Sequence, residues 1–149
     1  MILELVEKRY TKINTLALVD IDEEDATLLS KIHISAPVHS HIDGVYKIWK
    51  YGDHGYVWAK TIPNSSIRLI VFFNNSPTDQ DHHSPIRNRA DRYIYVYELN
   101  PTRTTQSMQQ IARCEINVQK DTERWYVQDQ FSLLWNHTES ISYAMTLNR

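Results

Sequence analysis

The sequence predicts a mainly β protein: an antiparallel sandwich, partly open barrel or curved sheet with one or two short helices, α+β being the alternative. Three observations carry this. Apolar and polar residues alternate with period two in one segment after another, which sends successive side chains to opposite faces of a strand. The three glycines, Gly44, Gly52 and Gly55, fall close together, and two of them bracket a short polar turn. Helical periodicity is scarce. With 149 residues, 42% of them hydrophobic, the chain suits a single globular domain over 1–149 with its own core.

Taken in order, the first dozen residues are ambiguous, since Ile2, Leu5, Val6 and Ile13 fit a helix or a strand. Residues 16–21 are a candidate strand. Residues 23–31 form the best helical segment: Asp22 is a suitable N-cap, and Glu23, Glu24 and Asp25 sit where the helix dipole favours negative charge. Residues 45–51 and 56–62 flank Gly52-Asp53-His54-Gly55, a strong hairpin signal because glycine tolerates the positive φ of tight turns. Residues 67–73 and 93–99 read as further strands, the first central and buried on both faces. Between them, 74–91 is polar, carries Pro77 and Pro85, and is too long for an ordinary hairpin loop. Met108, Ile111 and Ala112 suggest a second helix over 105–113. Cys114, Ile116 and Val118 then alternate with polar neighbours, 120–122 suggest a turn, and 125–127 the returning strand. Ile141, Tyr143, Met145 and Leu147 give the cleanest alternation of all.

Several function classes are excluded. Three glycines cannot write a Walker loop or a dinucleotide fingerprint. Sixteen Lys and Arg against 18 Asp and Glu give a net charge of −2, so no global attraction to nucleic acid or anionic membrane is expected. The only cysteine, Cys114, falls at an inward strand position and reads as packing in a reducing compartment. The N-terminal segment is interrupted by Glu4 and Glu7, and the longest apolar run, 69–73, is far short of the roughly 20 residues a membrane helix needs. A soluble, cytoplasmic protein is the expectation.

Two groupings could carry chemistry. His39, Ser40, His41, Ile42 and Asp43 spell His-Ser-His-Ile-Asp. On a strand, His39 and His41 would point to one side and, with Asp43 and His82 or His83, could hold Zn²⁺ or Mn²⁺ and activate water for phosphoester or amide hydrolysis. In a turn after Pro37 they would be ordinary polar residues. The run resembles the His-x-His-x-Asp-His of the metallo-β-lactamase superfamily and the His-x-His of amidohydrolases. Gly44 replaces the final His of the first pattern, and 149 residues are too few for the barrel of the second, so neither family's activity follows.

The second grouping is Tyr93, Tyr95 and Tyr97, which alternate with Ile94 and Val96 and follow a basic stretch with Arg87, Arg89 and Arg92. Aromatic residues on a sheet beside arginines are the recipe for a protein interface, and also for stacking single-stranded nucleic acid. The leading expectation is a small non-catalytic module that binds another protein, of inhibitor, immunity or adaptor type, through this face and loop. A metal-dependent hydrolase of nuclease or phosphodiesterase type is the alternative, and single-strand binding the weaker one.

Overall fold

The computed structural model describes residues 19–20, 29–52, 55–74, 92–103 and 108–146. Among these the chain forms ten strands: β1 (Val19–Asp20), β2 (Lys31–Ser35), β3 (Gly44–Gly52), β4 (Gly55–Thr61), β5 (Arg68–Asn74), β6 (Arg92–Leu99), β7 (Met108–Asn117), β8 (Thr122–Gln128), β9 (Trp135–Thr138) and β10 (Ser142–Thr146). They make one antiparallel sheet in the order β10-β2-β3-β4-β5-β6-β7-β8-β9, with β1 beside β3. No helix occurs among the described residues, and so none there is long and apolar enough to cross a membrane.

The sheet curls into a half-barrel. Its two edges, β9 and β10, are consecutive in sequence and joined only by Glu139, Ser140 and Ile141, which holds the ends of the strand order near each other. Two bulges help it bend, because an extra residue on one strand increases local twist. Trp49 is the extra residue of β3, between the pairs Ile48↔Trp58 and Lys50↔Val57. Ile111 is that of β7, between Val96↔Ala112 and Tyr97↔Gln110.

Alternation then sorts the side chains into two clusters. Inside the curl lie Ile32, Ile34, Tyr46, Ile48, Trp58, Val71, Ile94, Val96, Cys114 and Trp125. Tyr143 of β10 meets Trp125 of β8 and Phe73 of β5, at centroid distances of 6.4 and 6.2 Å, so contacts span the inside of the curl. On the outer face Val57, Ile70, Phe72, Tyr93, Tyr95, Tyr97, Leu99 and Met108 form the second cluster. β5 serves both clusters, which is why its sequence shows an unbroken apolar run.

Of the helix expected over 105–113, residues 105–107 lie outside the described residues and 108–113 belong to β7, a strand. Met108, Ile111 and Ala112 have helix-like spacing only because the bulge at Ile111 interrupts the alternation, and Met108 belongs to the outer cluster while the other two face inward. The expected helix over 23–31 lies largely outside the described residues, but its last member, Lys31, opens β2. The ambiguous first dozen residues also lie outside them, as does most of 16–21, of which only β1 is described.

Candidate functional site

His39 and His41 are in a loop and not on a strand. Residues 36–43 fold back on themselves: the His39 amide donates to the Ala36 carbonyl, and the Ile42 and Asp43 amides donate to the His39 carbonyl. The Asp43 carboxylate closes the loop by accepting from the Ala36 amide at 2.8 Å. Its carbonyl accepts from the Lys60 ammonium, close to Gly44, whose φ of +136° suits a residue without Cβ. Desolvation, and then the charge of His39, hold the His41 imidazole below its usual value. Lys60 adds to this and Glu98 opposes it. No group of three or more His, Cys, Asp or Glu able to hold a metal ion occurs among the described residues, and His82 and His83 lie outside them.

Tyr93, Tyr95 and Tyr97 share one face, as alternation requires, but on that outer face of the curl they are buried. They are 1%, 0% and 0% exposed, where a presented surface was expected. Tyr93 stacks on Tyr95 and Phe72 on Tyr97, at 5.8 and 5.6 Å. Beside them lies a buried charge pair: Arg113 Nε is 3.5 Å from Glu115 Oε2, and the guanidinium sits over the rings of Tyr126 and Trp135 at 4.9 and 4.5 Å. Arg92 is exposed and rests over Phe73, while Arg87 and Arg89 lie outside the described residues. Cys114 is buried, and desolvation pushes its thiol up, away from the reactive thiolate.

Among the described residues, the most exposed large apolar side chain lies in the loop from β8 to β9, with Val38 and Val118 the most exposed elsewhere. Phe131 is 98% exposed, with Leu133 and Leu134 exposed beside it. This loop is tied down by its own polar atoms. Asp129 Oδ1 accepts from the amides of Phe131 and Ser132, both at 2.8 Å. The Leu133 amide donates to the Asp129 carbonyl and the Asp129 amide to the Leu134 carbonyl, each at 2.9 Å. Gln128 Nε2 donates to the Leu133 carbonyl at 3.0 Å. These backbone hydrogen bonds hold the Asp129 carboxyl below the usual range. Leu133 has φ +62°, a region glycine occupies freely and leucine at a cost of about 1–2 kcal/mol.

Strand direction places this loop at the same end of the half-barrel as loops 36–43 and 62–67, so exposed Val38 joins Phe131, Leu133 and Leu134 on one rim. The Phe131-Ser132-Leu133-Leu134-Trp135 run was visible in the sequence, but its apolar character alone would have assigned it to a core. Compared with protein-family models, with curated proteins and with solved structures, the chain matches none.

Proposed function

We propose that this chain is a protein-binding module that engages its partner through the β8–β9 loop. The observation that carries the reading is Phe131, almost wholly exposed on a backbone locked by hydrogen bonds. A large aromatic side chain fixed in this way can enter a partner's pocket with little of the ordering cost that flexible loops incur. Leu133 points the same way, because a strained backbone bearing an exposed leucine serves packing in this chain poorly.

The partner is a protein and not a lipid surface. No Lys or Arg falls between Arg124 and the end of β9, and Asp129 and Glu139 flank the loop. A membrane-docking knob combines apolar with basic residues, and anionic headgroups would repel this one. The matching surface is an apolar cleft with neutral or basic margins, as an inhibitor, immunity factor or adaptor would meet. One cysteine, kept as a thiol, agrees with work in the cytosol.

Capture from extract of the source cells tests the reading, followed by affinity measurement on the purified pair. Phe131→Ala should weaken binding at least about tenfold, as truncation of an anchor residue does. Its melting temperature should stay within about 2 °C of the parent, because the side chain is exposed. Undiminished affinity in the variant would remove the loop from the interface.

A further inference from the structure

The outer face carries a second feature, independent of the β8–β9 loop. A groove of about 680 Å³ crosses β3, β4 and β5, lined by Gly44, Lys47, Trp49, Lys60, Thr61 and Arg68 among others. That volume falls within the range of small-molecule sites, roughly 300–1,000 Å³. Lys47 and Arg68 line it from the outer face, Lys60 borders it at the end beside Gly44 with its ammonium turned towards Tyr46, and among the described residues no carboxylate lines it.

Cations gather on this flank, with Asp20 of β1 opposite only Lys50 of β3. Lys31 of β2 stands directly opposite Lys47 of β3, and like charges so placed on a ladder are destabilising unless a counter-charge lies between them. The Arg68 guanidinium and the Lys50 ammonium both sit against the Trp49 ring, at 4.5 and 4.8 Å from its centroid. The bulge delivers this tryptophan to the groove, since Trp49 is the residue β3 has in excess of β4. Lys60 is held at one end by its bond to the Asp43 carbonyl, and burial lowers its amine from the usual value. Fork-shaped Arg68 and point-charge Lys47 are the complementary donors that phosphate groups take.

We propose that the groove binds a small organic phosphate, with Lys47 and Arg68 on the phosphate oxygens, Lys31 and Lys60 completing the positive field, and Trp49 as the apolar wall. The cation number calls for a ligand with at least two negative charges, which one phosphate ester or a diphosphate supplies and a single carboxylate does not.

The test is calorimetric titration of the whole protein with inorganic pyrophosphate, and with citrate in parallel. Saturable one-site binding of pyrophosphate is expected, weakened at least about tenfold by Lys47→Ala/Arg68→Ala. Lys120→Ala, in the turn at the far end of the half-barrel, should leave it unchanged. Lys47→Ala alone, at an exposed position, gives the same reading in lesser degree and covers the case in which the double variant fails to fold. The proposal is overturned by no saturation up to about 1 mM, the weak limit of a specific small-ligand site. It is equally overturned by affinity indifferent to Lys47 and Arg68, by tighter binding of citrate than of pyrophosphate, or by retention of a single-stranded oligonucleotide without pyrophosphate binding.

Discussion

Arg113 shows how much of this molecule's stability rests on single polar residues. Its side chain is 0% exposed, lies 3.5 Å from Glu115 and is enclosed by Tyr126 and Trp135. Removing one member of a buried pair costs far more than the pair contributes, because the other charge stays in a poorly solvating place. Arg113→Ala should therefore destabilise the fold by about 3–5 kcal/mol in urea unfolding. Arg113→Met/Glu115→Leu should lose less, since both charges go together. A loss below about 1 kcal/mol for the single variant would show that water reaches the pair. No sequence pattern announced it. Arg113 closed the helix expected over 105–113 and Glu115 was a polar neighbour in the alternation that starts at Cys114, and neither pattern tells that the outer face is covered as well.

At the scale of elements, the β8–β9 loop depends on the ionised Asp129 carboxylate. Its pKa is depressed in the folded chain, so the stabilisation is fully present above the ordinary carboxylate range and disappears as pH falls through the lowered value. Neutral pH thus finds the loop locked. Asp129→Ala should speed exchange of the Phe131 and Ser132 amides at least about tenfold while core strands keep their protection. Unchanged exchange would mean that the main-chain bonds of the loop suffice. The strands around it were legible where alternation ran unbroken, as in β6 and β10, and where the glycines marked a hairpin, as in β3 and β4. Legibility failed at the start of β7, where Ile111 shifts the register, whereas 39–43 form the turn after Pro37 that the sequence offered beside a histidine-bearing strand, closed by the Asp43 bond to Ala36. The tyrosine stripe of β6 was correctly placed on one face. That this face is buried depends on what packs against it, which no local pattern encodes.

For the whole molecule, curling leaves the ends of the sheet as its open surfaces. Both faces of the central strands are occupied by core, so the surfaces open to the proposed partner are the rims and the flank where β2 and β3 leave exposed residues. One rim gathers Val38 and the Phe131 loop. The opposite rim includes the β7–β8 turn, where Lys120 is exposed and the Lys120 amide donates to Asn117 Oδ1. Binding through the first rim, and not through exposed apolar surface in general, is put to the test by placing a benzophenone amino acid at position 131 or at position 120 and irradiating source cells that express each variant. One discrete covalent adduct of a partner protein is expected from position 131 and none from position 120. No adduct from 131, or the same adducts from both positions, would contradict binding through this rim.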